Sequence, residues 1–127
     1  MLGNEKIVAF IGVRQADRAR AFYRDTLGLK LVSEDNFALS FDANGTTLRV
    51  SLVPELKPAR FTVLGWQVQD VAASAGDLQK AGVQLERFPS LDQDELGIWN
   101  APGGTKVAWF KDPDGNIFVP SPRSVDS

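Results

Sequence analysis

The chain reads as an α+β protein built from two tandem β-α-β-β-β modules. Three observations predict this. First, the sequence nearly repeats itself: Val13-Arg-Gln-Ala-Asp recurs as Val68-Gln-Asp-Val-Ala, and Leu27-Gly28-Leu29-Lys30-Leu31 as Ala81-Gly82-Val83-Gln84-Leu85, at offsets of 55 and 54 residues. Such self-similarity marks one supersecondary unit used twice. Second, each half holds one stretch with helical spacing, closed by a glycine. Third, the remaining apolar runs are short, β-branched and bounded by turn residues, as strands are.

Taken in order, residues 6–13 form a buried strand, since Lys-Ile-Val-Ala-Phe-Ile-Gly-Val is β-branched and lacks helical spacing. Residues 16–27 form a helix with Ala19, Phe22, Tyr23, Thr26 and Leu27 on one side. Gly28 ends it, as glycine accepts the left-handed conformation of a helix terminus. Strands follow near 29–34, 37–42 and 47–53, with Asn44-Gly45 as the hairpin turn between the last two. Residues 54–60, with two prolines, are the linker. The pattern then restarts: a strand over 61–68, a helix over 71–81 capped by Asp70, and Gly82 as its stop. The apolar side of that helix is Val71, Ala75, Leu78 and Ala81. Further strands are expected near 83–88, 96–100, 105–111 and 116–120, with Asp112-Pro-Asp-Gly115-Asn as a tight turn. Residues 1–4 and 121–127 are expected to fray. The modules are thus 6–53 and 61–120 of a single domain spanning 1–127.

Composition narrows the function. At 127 residues the chain fits one domain, and a chain of this size buries about 65–70% of its unfolded surface. A net charge of −2 with interleaved signs shows no basic stripe, so nucleic acid is not an expected partner. The apolar runs fall far short of the ~20 residues that span a bilayer, and the N-terminus has no apolar signal region. Neither membrane association nor secretion is expected, which leaves the cytoplasm. With no cysteine and no histidine, a disulfide scaffold, a thiolate nucleophile and a Ser-His or Cys-His pair are all excluded. No G-x-S-x-G elbow, P-loop, dinucleotide fingerprint or H-E-x-x-H motif is present.

Two motifs carry a family resemblance: Ala21-Phe-Tyr-Arg-Asp-Thr-Leu-Gly-Leu29 in the first module and Phe110-Lys-Asp-Pro-Asp-Gly-Asn116 in the second. Together with the repeat they resemble the vicinal oxygen chelate superfamily of glyoxalase I, extradiol dioxygenases, and the bleomycin and fosfomycin resistance proteins. The resemblance covers residues 6–120. It implies a cupped mixed sheet with helices on the outer face, a substrate in the concave face, and a homodimer. Metal-using members commonly place a histidine on the first strand of each module, five residues before the valine that leads into the helix. They commonly place a glutamate seven residues after the first aspartate of Asp-Pro-Asp-Gly-Asn. Those positions here are Val8, Val63 and Val119. A further ligand, where present, falls near Arg49 or Ser51. Valine has no lone pair, and hydrocarbon around a dication would leave its charge uncompensated. The expectation is therefore no metal and no cofactor. A carboxylate-only site from Glu34, Asp35, Asp94 or Glu95 is the remaining route to an ion.

Candidate binding residues follow from strand parity. Phe10, Gly65 and Gln67 should point the same way as Val8 and Val63. They either line an open cup, with Phe10 as wall, Gly65 as space and Gln67 as amide, or sit over valines collapsed into a filled core. Arg49 and Ser51 alternate with Leu48, Val50 and Leu52, and face either the cup or water. An arginine in a cavity would favour an anion, because its fork matches carboxylates. Trp66, Trp99 and Trp109 either wall a flat ligand or pack a core or dimer contact. Lys106 is a strand lysine that could act as a base if desolvated, and Tyr23 is packing. Leu91–Gly97 is either a loop over the cup or a solvated turn. The leading expectation is a metal-independent protein that sequesters an apolar or aromatic small molecule. A glyoxalase-like lyase or isomerase, or a dioxygenase-like enzyme, is the rival. A non-catalytic module with a collapsed cup is the third reading.

Overall fold

The computed structural model describes residues 1–123. The chain divides into two compact units at Lys57/Pro58, inside the predicted 54–60 linker. In the first unit, β1 (Val8–Val13) leads into α1 (Ala16–Arg20), followed by β2 (Lys30–Glu34), β3 (Ala38–Ala43) and β4 (Thr46–Leu52). The sheet order is β1-β4-β3-β2, with β1 parallel to β4 and the other pairs antiparallel. This is the expected β-α-β-β-β unit. Asn44 and Gly45 both take positive φ, 50° and 95°, so the β3–β4 hairpin turns in two residues as its sequence requires.

The predicted 16–27 helix is not α-helical throughout. From Ala21 to Thr26 the backbone widens into a π-helical turn, and Leu27 N–H reaches back to Phe22 C=O at 2.9 Å. Tyr23 lies within this widened turn. Tyr23 is fully buried, its ring 5.7 Å from Phe41 and edge-on to Phe22 at 5.2 Å. Around it Val13, Ala19, Leu39, Leu48 and Val50 complete a core on one face of the sheet. Apolar residues at every second position of β1 and β4 put that core on a single face.

In the second unit, β5 (Thr62–Val68) leads into α2 (Val71–Lys80), whose Asp70 carboxylate accepts the Ala73 N–H at 3.1 Å as a helix cap. Val71 and Ala75 are buried, while Ala81 is exposed. Four short strands follow: β6 (Trp99–Asn100), β7 (Lys106–Val107), β8 (Phe110–Lys111) and β9 (Ile117–Pro122). β5, β9 and β8 form one sheet, with β5 parallel to β9, and β6 pairs with β7.

Three sequence expectations need correction here. No strand forms over 83–88. The Phe88 N–H donates to Gln93 Oε1 at 2.7 Å and the Glu86 C=O accepts from Gln93 Nε2 at 2.9 Å, so a side-chain amide takes the groups that a strand partner would use. The 105–111 strand breaks at Ala108-Trp109, where the Trp109 C=O turns aside to accept the Glu86 N–H at 2.8 Å. Ser121 and Pro122, expected to fray, continue β9 against Gln67 and Val68, while the expected fraying of 124–127 lies outside the described residues.

Candidate functional site

In the first unit one sheet face carries the core and the other is open. The open face is set by the ladder register: Val8 pairs with Thr47, Phe10 with Arg49 and Gly12 with Ser51. Arg49 in turn pairs with Ser40, and Ser51 with Ala38. A row therefore crosses the sheet as Phe10, Arg49, Ser40 and Ser33. Phe10 in mid-strand is 66% exposed and Val8 at the start of β1 is 45% exposed, high values for large apolar groups in a strand. The structure thus brings together Val8, Phe10, Arg49 and Ser51 on one surface. Ser40 was not singled out from the sequence. The two-residue hairpin turn pairs Ala43 with Thr46, and counting outward from that pair reaches Ser40 opposite Arg49. At the Gly12 end the face meets a wall, since a Cβ on Gly12 would lie 3.3 Å from Leu56 Cδ1 and 3.5 Å from Val53 Cγ2.

In the second unit, Val63, Gly65 and Gln67 are exposed along β5. Gly65 pairs with Val119 and Gln67 with Ser121, while Val63 sits at a register shift. The space at Gly65 is occupied by Val119, whose Cγ2 would lie 3.0 Å from an added Cβ. Trp66 points to the opposite face. It stacks on Phe110 at 6.0 Å and meets the edge of Phe118 at 5.5 Å. Trp99 and Trp109 form a separate stack at 6.3 Å, with Phe88 edge-on to Trp109 at 5.0 Å. The three tryptophans therefore do not make one wall.

The predicted loop at 91–97 is pinned. Gln93 donates to the carbonyls of Glu86 and Gly97, Asp94 accepts the N–H groups of Leu96 and Ile98 at 2.9 Å each, and Arg87 donates to the carbonyls of Asp94 and Glu95 at 2.8 Å. Lys106 is exposed, with Nζ 3.5 Å from Asn100 Oδ1, which gives its amine none of the desolvation that base chemistry needs.

Of the four carboxylates considered for an ion site, Glu34, Asp35 and Asp94 have other partners. Glu34 is held by the Arg20 guanidinium through both oxygens, and that hydrogen bonding keeps its carboxyl below the ordinary range. Asp35 accepts the N–H groups of Phe37 at 2.7 Å and Ala38 at 3.0 Å, with the same direction of shift for that reason. Among the described residues no group of three or more His, Cys, Asp or Glu could hold a metal. The side chains at Val8, Val63 and Val119 have no donor atom to offer. The donor set does not fit the metal that the resemblance implies for other members.

A concavity of about 1020 Å³ opens at the N-terminus of α2 between Asp70, Ser74, Gly103, Lys106 and Arg123. The Asp70 carboxylate already occupies the helix end, which gives an incoming anion a like charge to displace.

With the fold and this face established, the chain's kinship is clear. The family model of the Glyoxalase/Bleomycin resistance protein/Dioxygenase superfamily matches residues 7–119, and the chain belongs to that superfamily. No curated protein sequence matches it. Among solved structures, TnmS3, an antibiotic binding protein from Streptomyces sp. CB03234, is 25% identical with a TM-score of 0.71, covering 98% of this chain and 99% of that one. A glyoxalase family protein from Bacillus anthracis is 15% identical at TM-score 0.74, covering 95% and 96%. The lactoylglutathione lyase from Agrobacterium tumefaciens is 17% identical at TM-score 0.72, covering 96% of each chain. The last two likenesses establish the fold alone. Among the described residues no helix is long and apolar enough to cross a membrane.

Proposed function

We propose that this protein binds an apolar or aromatic small molecule without a metal ion, using the open sheet face of Val8 and Phe10 in the first unit. The observation that carries this reading is Phe10, two-thirds exposed in mid-strand and flanked by Val8 and Arg49. A phenyl ring held in water at that position finds its partner in a ligand, since apolar contact there recovers the cost of exposure. Valine at each counted ligand position supports sequestration over metal-assisted chemistry. The likeness to an antibiotic binding protein points the same way. Homodimerisation and cytoplasmic residence belong to the same proposal, and sedimentation analysis tests the first.

A thermal-shift screen tests the function, because a ligand specific for the folded state raises stability by RT ln(1 + [L]/Kd). Aromatic antibiotics should raise Tm equally with and without EDTA. Manganese, nickel and zinc should leave Tm unchanged. A large, EDTA-reversible shift with one of these metals, or with a glutathione adduct only when metal is present, would overturn the reading in favour of an enzyme.

A further inference from the structure

We infer that the row Phe10–Arg49–Ser40 selects flat aromatic ligands that carry a carboxylate. The inference rests on the binding face proposed above and adds the chemical class of its occupant. Phe10 and Arg49 are ladder partners on parallel strands. Adjacent strands lie about 4.7–4.9 Å apart, so a ring stacked on Phe10 places a substituent over the Arg49 side chain. Arg49 is half-buried and forms no ion pair among the described residues. Apart from Phe10, its neighbours along and across the face are hydroxyls: Ser40, Thr47 and Ser51. Two carboxylates stand near, and each has one oxygen in a backbone hydrogen bond. Asp42 accepts the Gly45 N–H at 2.9 Å at the hairpin end, where Lys30 is its ladder partner. Asp35 feels the charge of Arg49 but spends one oxygen on the N–H groups of Phe37 and Ala38. A guanidinium presents a planar fork that pairs bidentately with a carboxylate, and partial burial strengthens that bond over its value in water. Leu56 and Val53 close the Gly12 end of the face with hydrocarbon, which favours a ring at that side. Charge and shape thus specify both parts of the ligand: an apolar plane for Phe10 and an anion for Arg49.

Calorimetric titration of the full chain with 2-naphthoate, 2-naphthamide and cyclohexanecarboxylate tests this, with amide chemical shifts locating each probe. The wild type should bind 2-naphthoate about tenfold more tightly than its neutral amide, the margin of a charge-assisted hydrogen bond. Cyclohexanecarboxylate should bind more weakly than 2-naphthoate, and the shifts should fall on β1 and β4. Arg49→Gln should bring naphthoate and naphthamide to equal affinity, while Arg49→Lys keeps part of the preference. Phe10→Ala, a change at an exposed position, should weaken both naphthyl probes about fivefold. If the wild type binds naphthamide as tightly as naphthoate, or if the preference survives Arg49→Gln, charge selection is wrong and aromatic binding still stands. If neither naphthyl probe binds, the inference fails, and the broader reading is then judged by the thermal-shift screen alone.

Discussion

Gly65 on β5 lies directly opposite Val119 on β9, and a Cβ built on Gly65 would come within 3.0 Å of Val119 Cγ2 and 3.3 Å of the Val119 carbonyl oxygen. The glycine is therefore what lets the valine side chain lie across the parallel pair. Both residues sit on the exposed face of β5 and β9, so packing and the candidate surface meet at this point.

Gly65→Ala should destabilise the protein by about 1–3 kcal/mol, the usual cost of forcing an extra carbon into a filled position. The side-chain part of the clash can be removed separately. Val119→Ala alone should cost little, because Val119 is only half-buried, and the double variant should recover part of the loss. A denaturant-melt double-mutant cycle reads this coupling directly. Additive single effects would show that the carbonyl contact dominates instead of the methyl contact.

The first unit was legible from the sequence almost strand by strand, and the second in its leading strand, helix and last strand but not between them. In the first, Asn44-Gly45 fixes a two-residue turn, the turn fixes the register, and the register fixes which side chains share the Phe10 face. The π-helical turn at Ala21–Thr26 escaped, because apolar spacing in one short helix does not distinguish five-residue from four-residue closure. In the second unit, Gln93 overrides the strand propensity of 83–88 by bonding backbone groups from the side, a long-range choice that no local pattern encodes. Strand parity, by contrast, was available: Trp66 lies between Gly65 and Gln67, so it must face away from them, and its stack with Phe110 and Phe118 shows where it goes.

Gln93 is expected to be a sensitive polar side chain of the second unit. Its amide accepts from Phe88 N–H and donates to the carbonyls of Glu86 and Gly97, at 2.7, 2.9 and 2.7 Å respectively. Gln93→Ala leaves three backbone groups to find water in a half-buried setting. A loss of about 1–3 kcal/mol follows. Hydrogen exchange should accelerate at Phe88 and Ile98 while the β5–β9 amides stay protected. Uniform acceleration across the unit would mean that the loop does not open on its own.

The Glu34–Arg20 pair ties β2 to α1 and gives a pH signature. Its carboxyl is held below the ordinary value of 4.5, first by the Arg20 hydrogen bond. A folded-state pKa lower than the unfolded one means the unfolded chain binds more protons in the interval between them, so stability rises with pH there. The contribution is present in full above the unfolded value and disappears as pH falls through the folded one. Comparing Glu34→Gln with the wild type should show a constant stability gap at pH 6–7 that closes as the pH falls below about 4. A gap that persists at pH 2 would mean that lost packing, not lost charge, accounts for the variant. The pair is partly exposed, so the gap should also shrink at high salt.

Asp112 makes the last case, because there an isosteric change should do more harm than its size implies. The residue is 4% exposed at the start of the turn joining β8 to β9. Its Oδ1 accepts the N–H groups of Asp114 at 3.0 Å and Asn116 at 2.8 Å, and its Oδ2 accepts the Asn116 side-chain amide at 2.8 Å. Both oxygens therefore act only as acceptors. Asp112→Asn preserves shape but turns one of them into an NH₂ group. If the remaining oxygen keeps the two backbone bonds, the new amide faces the Asn116 Nδ2 donor, and two donors meet in a buried site. Flipping the amide moves the conflict to the backbone N–H groups. Either arrangement should cost about 1–3 kcal/mol by unfolding melts. Asn116→Asp added to Asp112→Asn restores one acceptor facing one donor, and should recover part of that loss. An Asp112→Asn variant as stable as the wild type would show that the turn tolerates an unmatched donor, and that its backbone geometry alone holds β8 and β9 together.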